Sequence, residues 1–299
     1  MKSPLITHQL TKRFDHHRTA ISELSLEIPA GRVIGLLGRN GSGKTTLINL
    51  ACGLVLPSYG TCQTLSRASV DLDEAELTRL GVVFQESRFL DWMSVRQQLN
   101  FHASFYPQWD KVREERLLRE LELDPTRRIS ELSTGDRQKL GIILGVCHHP
   151  SLLLLDEPVS ALDPIARSRM LSFLVDLVAE DGSTVMISSH ILSDVEKIID
   201  WVVCLDAGRL VVNSSLDELQ ESYAEWLVHS PNGALPVRFP EPWVLTAEGD
   251  GHQARLQVQL PADAEARRFS SLYGATIERR PLNLEAIFPL LIAPRRNAA

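Results

Sequence analysis

The 299-residue sequence has no pair of closely spaced cysteines, no apolar run of membrane-spanning length and no surplus of positive charge. Its four cysteines, at 52, 62, 147 and 204, lack the tight spacing of a zinc site. Reduced thiols packed inside a cytosolic protein are expected instead. A membrane-crossing helix needs about 18 to 20 consecutive apolar residues, and LGIILGVC and SLLLLDEP supply less than half of that. Any membrane role must therefore come through a partner. The opening MKSPLITHQLTKRF has no apolar centre of the kind a signal peptide needs, so export of the chain is not expected. With 31 basic against 38 acidic residues and a net charge of −7, no general positive field is available to hold a nucleic-acid backbone. No DNA or RNA partner is expected.

A hydrophobic content of 44% in a chain of this length suits one large domain with a smaller one attached. Short apolar runs (VIGLLG, GVVF, LLLLD, STVMIS, WVVCLD) alternate with helical periodicities up to about residue 215, the pattern of an α/β domain around a buried sheet. Lys111 to Glu122 reads as a surface helix whose charges face solvent. An acidic helix, LDELQESY, ends this pattern, and the Pro-punctuated SPNGALPVRFPEPW follows. Strand-like ARLQVQL, helix-like ADAEARRFSSLYG and strand-like ATIERR then predict a small α+β appendage of ~75 residues. The expected division is 1–215 and 216–299.

The segment Gly38-Arg39-Asn40-Gly41-Ser42-Gly43-Lys44-Thr45-Thr46 sits between the strand-like VIGLL and the apolar helix LINLACGL. That is the context of a phosphate-binding loop. Glycines let the backbone curl around an anion with its N–H groups inward, and the helix start adds positive potential. Lys44 supplies a point charge for β- and γ-phosphates, and the Thr45 hydroxyl can ligate Mg²⁺. A second element, Leu152-Leu153-Leu154-Leu155-Asp156-Glu157-Pro158, places two carboxylates at a strand's end, where α/β proteins put their ligands. Asp156 is suited to hold Mg²⁺ through water, and Glu157 to act as general base on an attacking water. Together the two elements point to nucleotide hydrolysis.

Between them, Leu132-Ser133-Thr134-Gly135-Asp136-Arg137-Gln138-Lys139 resembles the LSGGQ signature of ABC ATPases. Gln85 in VVFQES, the Ala161-Leu162-Asp163 turn and His190 in ISSH stand in the order that this family requires, over about residues 5 to 215. The resemblance implies a P-loop core of RecA type with an antiparallel β subdomain and a helical subdomain. It implies ATP and Mg²⁺ as cofactors and a peripheral position on the inner face of the membrane, docked on separate permease subunits. Two copies would face head to tail, so that Ser133 and the Gly135 N–H of one grip the γ-phosphate held by Lys44 of the other. A homodimer is expected, with a heterodimer as the alternative. Phe14 would stack on adenine, Gln85 would touch the metal or the water, His190 would contact the γ-phosphate and fix Glu157, and Asp163 would couple the sites. A soluble, non-transport ABC ATPase is the rival, although the chain lacks that class's coiled-coil insertion or second ATPase domain. The Asn-Lys-x-Asp guanine reader of a GTPase is absent.

Thr134 and Asp136 depart from the signature, which has Gly and Gln or Glu there. Strain or bulk at Thr134 and negative charge at Asp136 predict weakened ATP-driven closure. The double change Thr134→Gly with Asp136→Gln is expected to raise turnover. The aromatic stretch Ser87 to Asp110 reads equally as a docking surface for permease helices and as a helical core. The tail Arg280 to Leu291 looks like the ending of ATPases that pair with exporter-type permeases. The appendage could regulate, dimerise or cap the domain.

Overall fold

The computed structural model describes residues 2–15, 18–86, 88–231, 233 and 235–293. The chain divides into two compact units, Met1–Asn213 and Ser214–Ala299.

In the first unit, β1 (Leu5–Arg13), β2 (Thr19–Glu27), β4 (Tyr59–Thr64) and β5 (Arg67–Ala68) form an antiparallel sheet in the order β2-β1-β4-β5. Leu5 and Leu10 are both fully buried although five residues apart, a spacing that a regular strand would send to opposite faces. Register shifts around left-handed Gln9 (φ 46°) bulge β1 and return Leu10 to the core.

The second sheet has the order β10-β9-β3-β8-β7-β6. Its members are β3 (Val33–Gly38), β6 (Leu80–Val83), β7 (Leu152–Asp156), β8 (Thr184–Ser188), β9 (Trp201–Asp206) and β10 (Arg209–Ser215). Every residue of β3, β7 and β8 is buried, as expected for parallel strands covered on both faces. The strands from β6 to β9 run parallel, and both Leu36 and Asp156 lie opposite Ser188. The carboxyl ends of β3 and β7 therefore flank one residue of β8.

Helix α1 (Lys44–Ala51) follows β3, and its Leu47, Ile48, Leu50 and Ala51 join a core that includes Leu5, Leu10 and Ile21 of the antiparallel sheet and Leu36 and Leu154 of the parallel one. After the short α2 (Glu74–Leu77) come α3 (Val95–Ala103), α4 (Lys111–Glu120) and α5 (Thr134–Val146), which pack together as a helical region. Next, α6 (Pro164–Asp181) starts on Asp163 as N-cap with Pro164 in its first turn, and stops at left-handed Gly182 (φ 67°). α7 (Leu192–Val195) follows β8.

The charges of α4 are not simply solvated, contrary to the sequence reading. Glu114 is fully buried and accepts hydrogen bonds from Arg96 (2.5 Å), Trp109 Nε1 (2.6 Å) and Lys111 (2.9 Å). Buried Arg113 forms a two-pronged pair with Asp181 at the end of α6 (2.7 and 3.1 Å). The aromatic stretch divides between its two readings: Met93, Val95 and Leu99 are core, while Trp92, Phe101 and Phe105 are exposed. Its first residue, Ser87, lies outside the described residues.

The second unit begins with α8 (Leu216–Glu221), closed by a capping box of Ser215 and Glu218. Strands β11 (Tyr223–His229), β12 (Val244–Gly249), β13 (Gln253–Gln259) and β14 (Thr276–Pro281) form an antiparallel sheet in the order β12-β13-β11-β14. Helices α9 (Asp263–Leu272) and α10 (Leu284–Ile292) complete it. Alternation in β11 buries Ala224, Trp226 and Val228, and Trp226 packs against Trp243 and Phe269 at centroid distances of 5.0 and 5.7 Å. The sequence reading located β13, α9 and β14 but not β11 and β12. β11 starts one residue past the α8 C-cap, Ser222, so helix and strand patterns run together.

Candidate active site

The loop after β3 turns at positions that side chains would block. Gly38 (φ 153°) has no room for a Cβ against Ser42 Oγ and the Leu205 carbonyl, and one at Gly43 (φ 107°) would meet the Ala20 carbonyl at 2.6 Å. Lys44, the first residue of α1, is buried and folds back to donate to the carbonyls of Gly38 (2.8 Å) and Arg39 (3.3 Å). Burial lowers its pKa, opposed by the nearby carboxylates of Glu157 and Asp156. Arg39, Asn40, Gly41 and Thr45 form the exposed rim, with Thr46 half-buried, and Ser42 Oγ is buried without a hydrogen-bond partner among the described residues. An inward-curling backbone at a helix N-terminus, a buried ammonium and an orphaned hydroxyl suit a polyphosphate.

Asp156, almost fully buried at the end of β7, accepts a 2.7 Å hydrogen bond from Ser188 Oγ. The same Ser188 hydroxyl accepts from the Glu157 N–H at 2.9 Å. Glu157 holds a left-handed backbone (φ 50°), a conformation that costs a non-glycine residue roughly 1–3 kcal/mol and that clusters at active sites. Its carboxylate meets His190 Nδ1 at 2.6 Å, while the rest of the half-exposed imidazole faces outward. Lys44, Asp156, Glu157 and His190 thus form one cluster at the carboxyl edge of the sheet. Exposed Gln85 lies in the turn after β6, on the same edge.

Asp156 and the Thr45 hydroxyl are hard oxygen donors. No group of three or more His, Cys, Asp or Glu residues able to hold a metal occurs among the described residues. This donor set fits Mg²⁺, which binds one or two carboxylates and otherwise takes phosphate oxygens and water. The arrangement is of a kind that can support hydrolysis: a cationic loop lies beside a carboxylate within hydrogen-bond reach of a histidine.

Other residues singled out by the sequence have local jobs here. Ser133 Oγ caps α5 by accepting from the Asp136 N–H (3.1 Å), and Gly135 packs so closely on the Ala161 carbonyl that a Cβ would sit 2.9 Å from it. Asp163 Oδ1 caps α6 by accepting from the Ile165 and Ala166 N–H groups, and these bonds lower its pKa. The exposed Phe14 ring, just past β1, carries Lys12 Nζ at 5.0 Å from its centroid. Thr134 is the first residue of α5 and has no left-handed backbone, so the anticipated strain is absent. Asp136 pairs with Arg127 (3.2 Å) and Lys139 (3.3 Å), which offsets the extra charge.

Two participants escaped the sequence reading. Ser188 carried a signal, a hydroxyl ending an apolar strand just before ISSH's histidine. Gln138 is buried, and its amide donates to the Glu157 carbonyl (3.3 Å) and Ser160 Oγ (2.9 Å) while accepting from the Ala161 N–H (3.0 Å). Its place inside a polar helical turn gave no hint of burial.

The ABC transporter family profile matches residues 21–160. The bacitracin transport ATP-binding protein BcrA of Enterococcus faecalis is 33% identical over 74% of this chain and 72% of its own. The ABC transporter ATP-binding protein YtrB of Bacillus subtilis is 32% identical over 94% of this chain and 95% of its own, a match that takes in the second unit. A solved ATP-binding subunit of an ABC transporter superposes with a TM-score of 0.67 at 25% identity, covering 73% of this chain and 92% of that one. Phosphate loop, acidic strand end, signature and histidine meet in one fold and one set of relatives: the chain belongs to the ATP-binding proteins of ABC transporters.

Proposed function

We propose that this chain hydrolyses Mg²⁺-ATP to drive export through a separate membrane permease, working as a homodimer with ATP between its subunits on the inner face of the membrane. The observation that carries this reading is the Glu157–His190 pair, 2.6 Å apart, held beside Asp156 and the Lys44 loop. Lys44 and the N–H groups of residues 38–46 bind the phosphates, and Asp156, Thr45 and Gln85 serve the metal. Mg²⁺ held by these residues would neutralise charge on the phosphates. Glu157 takes the proton of the attacking water, His190 fixes Glu157 and senses the γ-phosphate, and Phe14 stacks on adenine. Ser133 and Gly135 of one copy close on the nucleotide of the other, with Asp163 near the junction. Dependence on a permease is supported by the described residues, in which no helix is long and apolar enough to cross a membrane. Exposed Trp92, Phe101 and Phe105 offer the permease an aromatic surface. The likeness to the transport protein BcrA supports transport, and the export direction rests on the tail that forms α10.

The test is affinity purification of the Glu157→Gln variant from solubilised membranes of the native host with ATP present. A stoichiometric multi-span permease is expected; soluble partners alone would overturn transport. In parallel, the purified variant should lose on the order of 100-fold or more in ATP turnover, the scale of a general base. Turnover within twofold of the parent would remove Glu157 from its role.

A further inference from the structure

The left-handed peptide of Glu157 is held from two sides. Its N–H is fixed by Ser188 of β8, and its carbonyl accepts from the Gln138 side chain of α5. Gln138 also holds the next turn at Ser160 Oγ and the Ala161 N–H. One face earlier on the same helix, Gly135 rests on the Ala161 carbonyl at a distance only glycine permits. Ser160 reinforces the turn through its own hydroxyl, which donates to the Glu157 carbonyl at 3.0 Å. The first turn of α5 and the 157–161 turn are therefore one packed body, with a buried amide as the fastener.

We infer that Gln138 is a positioning residue for hydrolysis, by which the signature helix of a subunit sets the geometry of that subunit's own Glu157. The inference rests on the proposed role of Glu157 as general base. Its physical basis is that a non-glycine residue at φ 50° keeps this conformation only while its surroundings hold it there. A shift of α5, when Ser133 and Gly135 close on the partner's nucleotide, is carried through Gln138 to the Glu157 carbonyl. The carboxylate then aligns with water in step with closure. Gln138 spends its amide on Glu157, Ser160 and Ala161, so it positions Glu157 without taking a proton.

The experiment compares Gln138→Met and Gln138→Glu with the parent in the full chain, measuring kcat, Kd for ATP and Tm. Methionine keeps the length of the side chain but none of its hydrogen bonds. Glutamate keeps the acceptor for the Ala161 N–H but turns an oxygen on the Glu157 carbonyl. Both should lower kcat on the order of 10- to 100-fold, the cost of a small misplacement of a reacting group. Kd for ATP should stay within about twofold, since ground-state phosphate contacts are untouched. Turnover within twofold of the parent in either variant would overturn the inference, as would a weakening of ATP binding in proportion to the loss of kcat, the mark of general damage. Should Gln138→Met fail to fold, Gln138→Glu decides alone. Glu157→Gln run alongside separates the failures. If it abolishes turnover while the Gln138 variants stay active, only the positioning role falls; if it leaves turnover intact, the general-base assignment falls first.

Discussion

The two units reach stability by different means. The first buries Lys44, Arg113, Glu114, Asp156 and Glu157 among aliphatic side chains, each paired by hydrogen bond or charge. The second, among its described residues, buries Ser230 as its polar residue and fills its centre with Trp226 and Phe269, ringed by Phe239, Trp243 and Tyr273. Buried charge costs solvation and is kept where geometry is needed, whereas an aromatic core supplies apolar area to a unit of small size. The contrast teaches that chemistry is concentrated in the first unit, and that the second is a folding unit with its own centre.

The largest effect that would probe this contrast is loss of that centre. Trp226→Ala should destabilise the second unit by roughly 3–5 kcal/mol, the usual cost of truncating a buried aromatic. Hydrogen exchange followed by peptide should show deprotection of residues 223–281, with the β3, β7 and β8 peptides unchanged. Equal deprotection of those three strands would make the two centres one cooperative structure.

Glu114→Ala addresses the first unit's strategy. It removes a buried carboxylate that accepts from Arg96, Trp109 and Lys111. Arg96 and Lys111 can turn to solvent, so a loss of about 2 kcal/mol, the range for hydrogen bonds to charged groups, is expected in denaturant unfolding. A neutral result would mean that the buried charge is no better than a cavity filled by water.

Acid should separate the units further. Burial opposes ionisation at Asp110, Asp136 and Asp181, yet hydrogen bonds outweigh it: the Arg113 N–H at Asp110, Ser133 and Lys139 at Asp136, and the Arg113 guanidinium at Asp181. All three carboxyls are held below their ordinary range. A depressed carboxyl contributes stability above its unfolded pKa, near 3.9, and loses it as pH falls through the folded value. In the second unit, among the described residues, only Asp250 is lowered, by the Gln253 and His252 N–H groups. As pH falls below about 4, first-unit amides should lose protection ahead of second-unit amides. Simultaneous loss would show that the Asp110, Asp136 and Asp181 contacts contribute nothing selective.

The smallest effect concerns the signature. With Asp136 paired to Arg127 and Lys139, Asp136→Gln alone should cost about 1 kcal/mol or less and leave turnover within about twofold. Any gain from the double change should then come from Thr134→Gly. A rise in turnover from Asp136→Gln by itself would restore the charge argument.

Much of the site could be read from sequence because phosphate loops and acidic strand ends are local devices. Glycines at 38 and 43, Lys44, and Asp156 with Glu157 after four leucines each sit within a few residues of the element that positions them. α4 was misjudged because its charge-rich sequence is what a solvated helix shows, and only packing reveals that Glu114 and Arg113 point inward. Ser188 and Gln138 were missed for a similar reason: a serine and a glutamine carry no signal until the backbone groups of Glu157 arrive beside them.

By itself, then, the sequence determined the family and the parallel sheet, and it picked out the loop proposed to bind phosphate, because strand hydrophobicity and loop glycines act over short distances. It also predicted a second unit from residue 216, and the compact units divide at Ser214. Only the tertiary structure decided that β8 lies between β3 and β7, so that one serine serves both carboxylate residues, and that the signature helix reaches the Glu157 carbonyl. Those contacts join residues about 20 to 30 apart in the chain, and their geometry is set by sheet order and helix packing rather than by any local pattern.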